Sequence, residues 1–271
     1  VGYATGSLRR PTSFGAQVYE GDAVARSVAL IAGCGGRYVR VSSQVSVAYL
    51  DALVAAAATR GLRTIILSAY AAQPVDVHAY AADAAAMQLR YGAANPVWEI
   101  WNEPNLPQYW GAAPNVADYL RLLTATAGAL RAVGASDVWT GGTSGVDLNW
   151  IYNLVIGGAF RFANGCAVHS YKTPGFARTE YIQAVSLVPT GVSVHTTEAC
   201  VATGYGDQVD YFRQMWYLHR ELNLPTMIWC ELRDGSAGST GPDSYPYGLV
   251  TSSYAIKTVY AAAAATIAAD P

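Results

Sequence analysis

Apolar and β-branched residues gather in eight short runs, at 12–18, 37–43, 62–70, 96–102, 137–144, 166–171, 193–201 and 226–232. Their length and their Val, Ile, Thr, Tyr and Trp content predict strands. Between them lie amphipathic or alanine-rich stretches with helical spacing, such as 46–60, 74–91, 115–133, 148–162, 176–187 and 210–222, and a further one follows at 254–269. Glycine or proline punctuates most returns from helix to strand: Gly35, Gly36, Gly61, Gly92, Gly134, Gly165, Gly191 and Pro225. A doubly wound sheet typically has five or six strands, whereas eight βα units of roughly 34 residues predict an α/β fold of the single (β/α)8 TIM barrel type.

Composition narrows the picture. At 271 residues and 52% apolar, the chain can bury enough surface to fold, and one barrel spanning 1–271 as a single domain accounts for all of it. The formal net charge is -2, and Lys172 and Lys257 are its two lysines. That balance argues against nucleic acid or anionic lipid as a partner. Uninterrupted apolar stretches fall short of the 18 residues that would suggest membrane insertion. Val1 in place of Met fits a removed export signal or a trimmed domain, which leaves location open, with secretion or cell-envelope association favoured. Four cysteines suggest neither a disulfide scaffold nor a CxxC metal site. Buried small side chains are the default reading. Cys200 and Cys230, near the ends of the seventh and eighth runs, are the one bridgeable pair, and Cys34 and Cys166 are expected to be free.

In a barrel, functional side chains belong at strand C-termini. No GxGxxG or P-loop follows any run, and Gly141-Gly142 reads only as a turn signal. Of seven glutamates, Glu103, Glu198 and Glu231 fall at or near the ends of the fourth, seventh and eighth runs. Glu99 shares period-two parity with Glu103 and should also point inward, where a buried carboxylate needs partners. Glu20, Glu180 and Glu221 read as surface. The long, Gly-, Ser-, Pro- and Tyr-rich connection at 234–253 is expected to form a substrate wall.

The fourth run reads Trp98-Glu99-Ile100-Trp101-Asn102-Glu103-Pro104-Asn105. This octapeptide resembles the acid/base strand of the clan A, or 4/7 superfamily, glycoside hydrolases, with families 39 and 5 nearest in motif. The resemblance implies that Glu103 is a general acid/base and that Asn102 binds the substrate 2-hydroxyl. It also implies a nucleophile at the end of the seventh strand, where Val194-His195-Thr196-Thr197-Glu198-Ala199-Cys200 supplies Glu198; Glu231 is the competitor, alternatively a partner of Arg233 or a hydroxyl. Arg40 matches the family's arginine that hydrogen-bonds the nucleophile, and pairing with Glu99 is compatible with that role. His169 and Tyr171 are similar to the family's His-x-Tyr, which implies a hydrogen bond from Tyr171 to the nucleophile and places His169 in the subsite network. Trp229 matches the tryptophan beneath the reacting sugar. Trp101, Tyr70, Trp110 and Tyr109 are candidates for further subsites.

Retaining hydrolysis needs one protonated and one ionised carboxyl group, about 5–5.5 Å apart. It needs no cofactor. No metal-binding spacing appears: His78 and His219 fall in predicted helices without HExxH, and His195 lacks a spaced second ligand. The reading is therefore a monomeric retaining glycosidase acting on an oligosaccharide or polysaccharide, with endo-action favoured by the aromatic residues and the long connection. Two alternatives remain open at this level, a non-catalytic carbohydrate-binding barrel and a barrel isomerase or aldolase. The first sits poorly with retention of both Glu103 and Glu198. The second would want a strand-borne lysine, for which Lys172 is the only candidate, or a phosphate loop.

Overall fold

The computed structural model describes residues 12–68, 76–111, 113–235 and 246–269. Its strands are β1 (Ser13–Gln17), β2 (Tyr38–Ser42), β3 (Arg63–Ser68), β4 (Val97–Asn102), β5 (Asp137–Ser144), β6 (Gly165–Ser170), β7 (Ser193–Ala199) and β8 (Thr226–Trp229). They pair in parallel and in chain order, and β1 also pairs with β8, so the sheet closes into the expected (β/α)8 barrel. The eighth strand is shorter than its apolar run. Past Trp229 the backbone crosses toward β1, where the Leu232 amide donates to the Gln17 carbonyl at 2.9 Å.

Helices α1 (Val24–Gly33), α2 (Val47–Thr59), α3 (Val77–Tyr91), α4 (Pro107–Trp110), α5 (Val116–Ala132), α6 (Leu148–Ile156), α7 (Pro174–Leu187), α8 (Gln208–Leu222) and α9 (Thr258–Ala269) surround the sheet. Several start where a short polar side chain can satisfy otherwise orphaned amides: Ser46, Asp76, Asn115, Asp147 and Asp207 each accept from a first-turn N–H. Outward-facing strand residues such as Val39, Val41, Trp98 and Ile100 pack against the helices in one continuous apolar core.

Inside the barrel the side chains form layers. Ile65, Val97, Trp139 and Ile228 make an apolar floor, and the His195 ring stacks on Trp139 with centroids 3.7 Å apart. Glycine makes room for the indole, since a Cβ at Gly165 would lie 2.2 Å from Trp139. Gly165→Ala is therefore expected to destabilise the protein by about 1–3 kcal/mol through overpacking, checked by a denaturant melt. Above this floor the inward residues become polar, and there the candidate chemistry begins.

Candidate active site

Two strand irregularities bring the carboxylates together. On β4, strict alternation would turn Trp101 inward with Glu99. Instead Trp101 has φ 75° and Glu103 has φ 41°, conformations that bulky L-residues rarely adopt and that cost about 1–3 kcal/mol each. Trp101 consequently swings into the wall, packing against Tyr80 and Trp110. Glu103 comes to the mouth, with its amide bonded to the Gly142 carbonyl at 2.9 Å. On β7 the pairing with β6 slips, from Val168 opposite Thr196 to His169 opposite Glu198, leaving Thr197 as the extra residue. The bulge lets consecutive residues both reach the site: Thr197 Oγ1 donates to Glu99 Oε1 at 2.8 Å, and Glu198 meets Arg40.

Arg40 is wholly buried and holds both carboxylates. Its Nε lies 2.7 Å from Glu99 Oε2, its Nη2 3.2 Å from Glu99 Oε1, and its Nη1 2.6 Å from Glu198 Oε1; Nη1 also donates to Gln17 Oε1. The two readings of Arg40 coexist. His169, equally buried, places Nδ1 2.9 Å from Glu103 Oε1 and Nε2 3.7 Å and 3.6 Å from carboxylate oxygens of Glu99 and Glu198. Tyr171 donates its phenol to Glu198 Oε2. One imidazole therefore touches all three carboxylates, while Arg40 and Tyr171 grip Glu198 and leave Glu103 alone.

The charges follow from these contacts. Burial works against ionisation of Glu99, yet Arg40 and then His169 outweigh it and hold this carboxyl at about 2. Burial likewise opposes charge on Glu198, but His169, Arg40 and Tyr171 keep its pKa below the ordinary carboxylate value. For His169, burial alone would depress the pKa; the Glu198 carboxylate, the hydrogen bond to Glu103 and the nearby Glu99 push it up to about 9.

This arrangement ties stability to pH. An unfolded imidazole titrates near ~6.5, below the folded value of about 9. The His169 proton thus contributes fully below the unfolded pKa and its contribution fades as pH rises through the folded one. Glu99 runs oppositely: its contribution is present above its unfolded pKa and is lost as pH falls toward about 2. Thermal melts from neutral pH to beyond the His169 titration are expected to show a loss of a few kcal/mol that is much smaller in His169→Gln. An equal alkaline loss in both proteins would rule out His169 as its source.

Gly142 is not a turn residue; it lies within β5 at the centre of the site. Its amide donates to Glu99 Oε1 at 3.1 Å and its carbonyl accepts from Glu103. A Cβ there would sit 2.3 Å from His169 Nε2 and 2.9 Å from Glu99 Oε1. A strand glycine often marks such a close approach, a signal present in the sequence. Gly142→Ala is expected to displace the imidazole and lower turnover roughly 10–100-fold with modest loss of stability, as misplacements near 1 Å do. Native-like kcat with a shifted melt would contradict this.

Glu103, Glu198, Asn102, Tyr171 and Tyr109 line a cavity of about 720 Å³ at the barrel mouth, joined by Gln17, Tyr19 and Gln44, which sequence reasoning missed. Three expectations fail. Trp101 and Trp110 are buried, the latter packed on Tyr119 in the wall, so neither presents a face to a ligand. Trp229 points to the helix layer, packing against Tyr211 and Phe212, and its Nε1 donates to the Tyr247 carbonyl at 2.7 Å. Glu231 is 3% exposed and accepts from the Gly235 amide at 2.9 Å, whereas Arg233 pairs with Asp22 at 2.6 Å. Tyr70, Tyr245 and part of the connection at 234–253 lie outside the described residues. All four cysteines are free thiols. Among the described residues, no cluster of three or more His, Cys, Asp or Glu side chains is arranged to hold a metal ion, and no helix is long and apolar enough to cross a membrane.

No family model and no curated protein sequence matches this chain. Solved structures do. A monomeric β-xylosidase from Caulobacter crescentus CB15 superposes with a TM-score of 0.71 at 18% identity, covering 94% of this chain and 67% of its own. The GH39 enzyme from Xanthomonas axonopodis pv. citri gives 0.73 at 15% identity, covering 97% and 67% respectively. An endo-1,4-β-xylanase from Penicillium canescens gives 0.70 at 12% identity, covering 97% of this chain and 96% of its own. The chain shares the (β/α)8 fold of these glycoside hydrolases.

Proposed function

We propose that this protein is a retaining O-glycosidase acting on an oligosaccharide or polysaccharide, with Glu198 as nucleophile and Glu103 as general acid/base. The observation that carries the reading is the unequal setting of two carboxylates sharing one cavity. Arg40, His169 and Tyr171 converge on Glu198 and hold it ionised, as attack on an anomeric carbon requires. Glu103 has neither the Arg40 nor the Tyr171 contact and meets only His169 in that trio, which leaves it as the carboxyl group to exchange a proton with the leaving oxygen. After the glycosyl–enzyme ester forms, the same carboxylate withdraws a proton from water. Asn102 Oδ1 has no hydrogen-bond partner among the described residues, which suits it to a sugar hydroxyl.

Two further features support a glycosidase over the alternatives. A binding-only barrel has no use for a carboxylate gripped by two donors, Arg40 and Tyr171, beside the His169 imidazole. An aldolase or isomerase lysine is lacking at the described site, because Lys172 pairs with Glu180 at 2.5 Å. The xylosidase and xylanase of similar fold support a glycan substrate, and the former supports a monomer. The cavity volume falls in the range that takes a ligand of several rings, and Tyr19, Tyr109 and Tyr171 offer aromatic surface around it, which favours endo-action.

Retention is tested by NMR at early times, where the first-released sugar is expected to carry the substrate's anomeric configuration; the opposite anomer would mean an inverting water and a different role for Glu198. On a long, end-labelled substrate, internal fragments are expected first. Monosaccharide released solely from one terminus would exclude endo-action.

A further inference from the structure

Cys200 and Cys230 stand in a relation that the glycosidase reading does not use. Ala199 on β7 is directly opposite Trp229 on β8, and the Cys230 amide donates to the Ala199 carbonyl at 3.3 Å. The next residue on each strand is a cysteine, so the pair is set by register. Neighbouring strands run about 4.8 Å apart, which falls within the roughly 4.4–6.8 Å Cα spacing of disulfides. Both thiols are free. Cys34 and Cys166 are buried elsewhere, and the Cys34 thiol donates to the Ile31 carbonyl.

The pair is asymmetric in a useful way. Cys200 is 2% exposed, and its thiol is held protonated by burial, by Cys230 and by the nearby Glu198 carboxylate. Cys230 is partly exposed. One side chain is therefore reachable from solution, and the second is buried beside it, two residues beyond Glu198.

We propose that Cys200 and Cys230 form a reversible dithiol–disulfide site, closed by small disulfides that reach the partly exposed Cys230, and that closure switches off the neighbouring Glu198. In the first step the Cys230 thiolate attacks one sulfur of glutathione disulfide and expels one glutathione thiolate. Cys200 then loses its proton to that thiolate and attacks the Cys230 sulfur, expelling the second glutathione. Two protein thiols are oxidised and one glutathione disulfide becomes two thiols. Closure draws the two sulfurs to about 2.05 Å, pulling the end of β7 toward the end of β8. Glu198 is held on that end between Arg40 and Tyr171 and shifts with it. The effect on activity rests on the glycosidase reading; bridge formation does not.

The test incubates the folded protein in glutathione buffers from fully reduced to fully oxidised, followed by alkylation, intact mass and peptide mapping. Two of the four thiols are expected to disappear, with a Cys200–Cys230 peptide that dithiothreitol reverses. Activity is expected to fall at least about tenfold in parallel, in keeping with the cost of displacing a catalytic group, and to return on reduction. Cys230→Ser, with Cys230→Ala as a second variant should serine disturb the fold, is expected to keep its activity in oxidising buffer. Cys200→Ser is expected to stop at the mixed disulfide, gaining one glutathione mass. Four thiols surviving full oxidation, or a wild-type protein that stops at the adduct, would overturn the site. A complete bridge with unchanged activity would overturn the switch. If no glycan is cleaved at all, the glycosidase reading fails while thiol mapping still decides the bridge.

Discussion

Glu198→Ala is expected to lower turnover of an aryl glycoside on the order of 10⁴-fold or more, since the proposed mechanism forms its covalent intermediate on this carboxylate. Azide is expected to restore turnover and to do so with inversion. The shortened side chain leaves space on the nucleophile's face of the sugar, azide attacks from there, and with no second displacement the product keeps the inverted configuration. Glu103→Ala should answer differently. With a good leaving group the glycosyl–enzyme still forms on Glu198, but water then lacks its base; azide needs none, so rescue yields the retained azide. The two stereochemical outcomes assign the roles independently of any rate. Near-native activity of Glu198→Gln together with an inactive Glu231→Gln would move the nucleophile to the eighth strand. The bond from Glu231 to the Gly235 amide argues that it is structural instead.

What the sequence made legible was whatever depends on period and place. Eight apolar runs with glycine or proline returns correspond to the eight strands, and the residues at strand exits, Asn102, Glu103, Glu198 and Tyr171, meet at one mouth. What it concealed lies where the period breaks. Alternation puts Trp101 inside; the left-handed step at that residue puts it in the wall. Alternation allows only one of Thr197 and Glu198 to face the site; the bulge on β7 admits both. Trp229 was misread because a strand-borne tryptophan can stack on a sugar or on a helix, and the choice is made by Tyr211 and Phe212, far away in sequence. Gly142 was missed for a similar reason, as its function consists of the space it leaves to a ring on the adjacent strand.

Removing the arginine that organises these carboxylates is expected to have the second large effect, and it separates architecture from chemistry. In Arg40→Met, Glu99 would lose its main counter-ion in a wholly buried setting, keeping His169, Thr197 and the Gly142 amide as partners among the described residues. Breaking a buried pair in this way costs about 3–5 kcal/mol, so a fall in Tm of roughly 10 °C follows for a chain of this size. Activity is expected to fall at least about 100-fold, because Glu198 loses the contact at 2.6 Å that fixes its position. Arg40→Lys should rescue little, since an ammonium cannot span Glu99, Glu198 and Gln17 in one planar fork. The informative variant is the double replacement Arg40→Met/Glu99→Leu. It removes the stranded charge along with its partner, and an apolar pair of similar volume can be as stable as the ions it replaces. Much of the lost Tm is therefore expected to return while activity stays low. Recovery of both would mean that Arg40 matters only as a counter-ion for Glu99, and that the grip on Glu198 contributes nothing to catalysis.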